Sequence, residues 1–218
     1  MTDDFEIAEK KRKRNKMIRA LCIGGIAGFV GAFGMMQLAG SGMLGELGGS
    51  REIALLIAVI YLIIAGILAF GLVSPEAGAK FLNVEDADEL EEQRVQLTYG
   101  TGGMAAIGLA LIVAALAAPA GPIPPTIAVI SFVLLIGFCW FTGIHQRNQV
   151  DELMRSISVE CGSVAFYCIS LFGGGWAFFA HLEYVPGPQM LDWLSMLAAF
   201  LLLSAFIVTG KRGMMEQR

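Results

Sequence analysis

Charged residues along this chain bunch into short segments separated by long runs that carry none. Six runs lack Asp, Glu, Lys and Arg altogether: Ala20–Leu38, Ile53–Val73, Leu97–Ala118, Thr126–Ile144, Cys161–Leu182 and Trp193–Gly210. A hydrocarbon core of ~30 Å takes ~20 apolar helical residues to cross, and each run is about that long. All are too long for a typical strand and rich in Ala, Leu, Ile and Gly, so the pattern predicts helices rather than an outer-membrane barrel. Helices also satisfy their own backbone polar groups, as lipid requires. The expectation is an all-α, polytopic membrane bundle of six transmembrane helices spanning 20–210. A basic segment 1–19 precedes it and a tail 211–218 follows.

The connections alternate in character. Three are short: Ala39–Glu52, Pro119–Pro125 and Glu183–Asp192, and the second contains P-A-G-P-I-P-P, which cannot form helix and predicts a tight turn. All seven prolines (75, 119, 122, 124, 125, 186 and 188) fall outside the span interiors, so proline kinks are not expected. The longer connections are polar. Asp86-x-x-Glu89 fits a capping box and predicts a short helix from Ala87 leading into the third span. The triplet D-E-L at Asp88–Leu90 recurs 63 residues later at Asp151–Leu153, which suggests a three-unit repeat of inner helix, span, hairpin and span.

Small residues recur at four-residue spacing within two spans. Gly24, Gly28 and Ala32 form such a ridge in the first span, as do Gly102, Ala106, Ala110, Ala114 and Ala118 in the third. Such ridges let helix backbones approach one another and predict packing seams.

Composition supports the membrane reading. Charged residues make up 16% of the chain, against about 25% in soluble domains. Fourteen of the fifteen Lys and Arg lie on one side of the expected bundle, Arg51 being the exception, so the positive-inside rule places both termini in the cytoplasm. With no N-x-[ST] site, the chain fits an inner (plasma) membrane. The first run is too long for a cleaved signal peptide, and the acidic Met1–Glu9 ahead of the basic residues is not the usual leader, so an uncleaved signal-anchor is expected. None of the four cysteines (22, 139, 161 and 168) sits in an outer hairpin, so free thiols are expected.

Two cytoplasmic segments stand out by charge. Glu85–Glu92 holds six carboxylates in eight residues, and Ser74–Gln96 carries two cations against seven carboxylates, a net of −5. The tail Lys10–Lys16 holds six cations in seven residues. Lys11, Arg12, Lys13 and Arg14 are candidates for anionic lipid, and Glu85, Asp86, Asp88 and Glu89 for a basic partner. A solvated acidic face explains the second group as simply. The acidic run lacks the glycine and spacing of a calcium loop.

Within the spans the chemistry is sparse. There is no intramembrane lysine for retinal and no intramembrane carboxylate for ion coupling. His145 and His181 are expected at opposite membrane faces, too far apart to share a haem. T-Y-G-T-G-G at 98–103 opens a span and so does not form a potassium filter. The fifth span is the exception: Ser163, Tyr167, Ser170, Gly174 and His181 fall at helical spacing, with a Gly-Gly-Gly at 173–175. On a regular helix they would share one face, turned into the bundle. That face is either a packing surface or a binding path.

No cofactor or metal is called for, and no nucleophile–base pair has usable spacing, so an enzyme is not expected. Nucleic acid is an unsuitable partner for a chain of net charge −4. The leading expectation is a subunit, assembly or anchoring factor of a larger membrane complex, its partners being the bilayer and another membrane protein or a second copy. The alternative is a transporter or channel for a neutral or apolar small molecule along the fifth span.

Overall fold

The structure is a computed structural model that describes residues 25, 26, 28–31, 33, 34, 37, 48–79 and 87–214. Among the described residues the regular structure is helical, without strands. The helices are α1 (Gly49–Val73), α2 (Pro75–Gly78), α3 (Ala87–Glu92), α4 (Arg94–Ala115), α5 (Pro125–Arg147), α6 (Glu152–Cys168), α7 (Gly174–His181) and α8 (Met190–Lys211). A π-helical turn, Ile169–Gly173, joins α6 to α7. Five helices are long and apolar enough to cross a membrane: α1, α4, α5, the continuous Glu152–His181, and α8. They match the second to sixth runs of the sequence pattern. In the first run, the described residues are helical and Gly31 lies against Val59 and Ile63 of α1.

Local chemistry sets the helix ends. Pro125 opens α5 at a position where its missing N–H is no loss. Asp151 caps α6 by accepting the Met154 N–H at 2.7 Å. Gln189 and Asp192 form a reciprocal capping box at the start of α8. As expected, α3 is a short helix from Ala87 that leads, after Gln93, into α4. The third run ends earlier than its composition suggests, because the chain turns at Leu116. Ile123 N–H donates to the Leu116 carbonyl at 3.0 Å, and Ala118 N–H to the Ile123 carbonyl at 2.8 Å. Arg51 holds this hairpin: its Nε donates to the Ala115 carbonyl at 2.5 Å and its Nη1 to the Ala120 carbonyl at 2.9 Å. The last carbonyls of a helix have no intrahelical donor, so a cation placed there is favourable.

The helices pack mostly in sequence. Antiparallel α1 and α4 meet along Ala54, Leu55 and Ala58 on one side and Gly108, Leu111 and Ala115 on the other. At Gly108 a Cβ would lie 3.1 Å from the Ala58 carbonyl oxygen and 3.0 Å from Leu62 Cγ, so the two backbones nearly touch. Ala106 and Ala110 are buried, and Gly102 sits beneath Phe138 and Thr142 of α5, so the expected ridge of the third span is a packing seam. Helix α8 runs parallel to α1: Leu191 packs at the level of Ala54 and Leu55, and the buried Tyr61 hydroxyl donates to the Ala198 carbonyl at 2.9 Å. Helix α6 lies antiparallel on α8.

These directions put the segments 74–79, 87–93, 148–151 and 212–214 at one end of the bundle. The segments 48, 116–124 and 182–189 lie at the other. Arg94, Arg147, Arg155, Lys211 and Arg212 cluster at the first end, hereafter the basic end, and Arg51 at the second.

Filling the seam at Gly108 should separate α1 from α4. Gly108→Leu is expected to lower stability by about 1–3 kcal/mol through overpacking. Gly137→Leu, at a site with nothing within 4 Å, should be tolerated. Tyr61→Phe should cost about 1 kcal/mol for the lost hydrogen bond. Thermal denaturation in detergent, read as the folded fraction on size exclusion, would measure all three.

Candidate functional site

The fifth span, Glu152–His181, is anchored along one side. Ile157, Ala165 and Gly173 are its buried residues, and the helix it packs along is α8. Cys161 Sγ donates to the Ser204 carbonyl at 3.9 Å, Phe172 stacks on Phe200 with centroids 5.7 Å apart, and Arg212 pairs with Glu160 at 2.6 Å. Of the three consecutive glycines, Gly173 is the one in the seam: a Cβ there would meet the Trp193 ring at 3.0 Å and the Met196 methyl at 3.3 Å.

The π turn explains how the seam keeps its line. Two α-helical turns take ~7.2 residues, and a π turn absorbs roughly one more. Ala165 and Gly173, eight residues apart, therefore come round to the same side and both reach α8. The glycines stay helical, and the irregularity arises without any proline.

This turn corrects the expected binding face. It falls between Tyr167 and Gly174, so the later residues are rotated by on the order of 100° from where a regular helix would place them. Ser163, Tyr167, Ser170, Gly174 and His181 therefore do not form one straight stripe. All five are exposed, facing away from the packed helices instead of into them. Sequence spacing missed this because α8 is satisfied by Ala165 and Gly173, small residues that let it approach, and the polar positions fall on the other side.

The charged candidates divide. Lys11, Arg12, Lys13, Arg14, Glu85 and Asp86 lie outside the described residues. Asp88 is exposed and Glu89 half-buried on α3, where Leu90 is buried and anchors the helix. The Gln93 side chain donates to Glu89 at 3.2 Å. Glu91 and Glu92 are exposed, so α3 presents an acidic surface at the basic end. His145 and His181 terminate α5 and α7 at opposite ends of the bundle. His145 sits against Phe141 and Tyr99, with centroids 4.0 and 5.5 Å away. Among the described residues no three His, Cys, Asp or Glu gather as a metal site would require.

Two cavities were not anticipated. One, of about 140 Å³, is a wholly apolar groove floored by Ile107 and Ala110 of α4, with Phe132 and Ile136 of α5 on one wall and Leu197 and Leu201 of α8 on the other. The second, of about 450 Å³, lies at the basic end between the first turn of α4, the last turns of α5 and the first turns of α6. Gln96, Gln146, Arg147, Arg155 and Ser158 line it, together with apolar groups, and among the described residues no carboxylate does. In the sequence Arg147 and Arg155 are two members of a diffuse basic count. Only the α5–α6 turn brings them to one cleft.

No known family, curated protein or solved structure matched the chain.

The two neighbouring glycines of the fifth span should respond oppositely. Gly173→Leu is expected to push α6 from α8 and destabilise by about 1–3 kcal/mol. Gly174→Leu, with nothing within 4 Å, should leave thermal stability unchanged in the same denaturation assay.

Proposed function

We propose that this chain is a six-span protein of an inner (plasma) membrane, with both termini cytoplasmic, serving as a non-catalytic subunit, assembly factor or anchor of a larger membrane complex. The sixth span on this reading is the first apolar run, Ala20–Leu38. Its described helical residues and the contact of Gly31 with α1 support that assignment. The orientation is supported by the basic end, which under the positive-inside rule faces the cytoplasm.

One observation carries the subunit reading. Tyr167 is 70% exposed on an apolar span, seven residues beyond Glu160, or ~10 Å along the helix axis toward the membrane interior. Ser163 satisfies itself by donating to the Val159 carbonyl at 3.0 Å. The Tyr167 and Ser170 hydroxyls have no hydrogen-bond partner among the described residues. Leaving a hydroxyl unpaired in hydrocarbon costs roughly 2–7 kcal/mol. A helix from another subunit, bringing an acceptor to this face, relieves that cost. Acidic α3 offers a second contact, suited to a basic tail on the same partner. The transport alternative draws less support, because the face that would line a path is turned away from the neighbouring helices.

Extraction from source membranes in mild detergent, followed by native mass analysis, should recover the chain with a stoichiometric foreign subunit. Tyr167→Leu should weaken that association about tenfold while leaving the isolated chain's thermal stability unaltered. A monomer or homo-oligomer, indifferent to Tyr167→Leu, would overturn the subunit reading and shift the weight to transport. Topology is tested separately in a cysteine-free background: a membrane-impermeant maleimide should label Glu183→Cys in intact cells, and Gln149→Cys only after lysis.

A further inference from the structure

The 450 Å³ cleft at the basic end is a cavity that the subunit reading does not use. Its two cations are Arg147 on the last turn of α5 and Arg155 in α6, with the Gln96 and Gln146 amides and the Ser158 hydroxyl beside them. Among the described residues neither arginine makes a salt bridge or side-chain hydrogen bond. The carboxylates nearest in sequence are otherwise placed. Asp151 caps α6, Glu160 is held by Arg212, and Glu152 does not line the cavity. Two arginines therefore line a space that holds no counter-charge among the described residues.

Arginine is the side chain best suited to phosphate. Its planar guanidinium presents paired donors that match phosphate oxygens two at a time. The rest of the wall is suited to an amphiphile: Val150, Met154 and Ile157 give the cleft an apolar side. The helices around it leave a way into the lipid. Although only four residues join α5 to α6, α5 packs along α4 and α6 packs along α8, and the two do not pack along each other. Acyl chains could pass between them while the headgroup stays at the level of Arg94, Lys211 and Arg212. Basic pockets between transmembrane helices at the cytoplasmic side take anionic lipid headgroups for these reasons.

We infer that Arg147 and Arg155 form a phosphate-binding cleft whose ligand is the headgroup of an anionic phospholipid seated between α5 and α6. The inference rests on the membrane reading and is independent of whether a partner subunit exists.

The test uses the full chain in nanodiscs of phosphatidylcholine, with phosphatidylglycerol titrated in, read by retained lipid in native mass spectrometry and by thermal midpoint. The expected result is a retained phosphatidylglycerol and a raised midpoint. Both should be lost about tenfold or more in affinity in the Arg147→Gln/Arg155→Gln variant. A Lys-for-Arg double variant should recover part of the binding, since it restores charge without the paired donors. The control Arg94→Gln/Lys211→Gln removes the same charge from the same end, outside the cleft, and should bind as the parent does. Equal loss in this control would overturn the site in favour of diffuse surface attraction. Inorganic phosphate added to the phosphatidylcholine discs distinguishes the source: stabilisation equal to that by phosphatidylglycerol would overturn the lipid assignment. No lipid preference in the parent chain would overturn the inference altogether.

Discussion

Apolar helices in lipid gain little by excluding water they do not touch, so contact itself must hold them together. In this bundle α1 and α4 meet backbone to backbone, where the absence of a side chain at Gly108 lets α4 settle on the Ala58 carbonyl. Leu111 then reaches the cluster of Ala58, Tyr61 and Ala198, which joins three helices. The outer helices depend on this seam at one remove. Helix α5 is held through α4, and α6 through α8, whose own attachment runs through Tyr61 on α1. Small residues at the centre set the distance; the single buried tyrosine hydroxyl sets the register of α8 against α1.

A bundle built outward from a central pair leaves its outermost helices attached on one side. For α5 the unattached side is Ile, Val, Leu, Phe and Trp, which lipid accepts without cost. For the fifth span it includes Tyr167 and Ser170, which lipid does not accept as readily. The difference between these two edges is the physical basis for proposing a partner at one and not at the other. The same architecture opens the space between α5 and α6, because each is committed to a different central helix.

Much of the fold was legible in the sequence, since absence of charge over about twenty residues is a direct measure of bilayer thickness. The second to sixth runs each became a helix long enough to span. The ridge from Gly102 through Ala106 to Ala110 became a seam because backbone approach depends on residue size alone, which a sequence states openly. The fifth span was misread for a definite reason. The seam with α8 took the small residues and left Ser163 and Tyr167 outside, and one π turn at Ile169–Gly173, which nothing in I-S-L-F-G announces, then displaced Gly174 and His181 in phase. Arg147 and Arg155 were hidden differently. Their relation exists only once a short turn folds α6 back beside α5, and each alone looks like a cation flanking a span.

Arg51 tests whether the charge asymmetry carries meaning, since it stands alone at the end opposite the other described cations. Its position follows from the carbonyls it serves. Helix α4 ends at Ala115 with orphan carbonyls and the negative end of its dipole, and the proline-rich hairpin beyond it offers few N–H groups in return. A guanidinium from α1 supplies donors to both Ala115 and Ala120 at once. Gly121 is part of the same device, because a side chain there would collide with the Leu116 carbonyl and with Arg51 itself. A cation engaged in this way is fixed by local hydrogen bonding to the hairpin, whereas Arg94, Arg147, Arg155, Lys211 and Arg212 flank the ends of spans. The exception and the rule therefore have separate causes, and the one does not weaken the other.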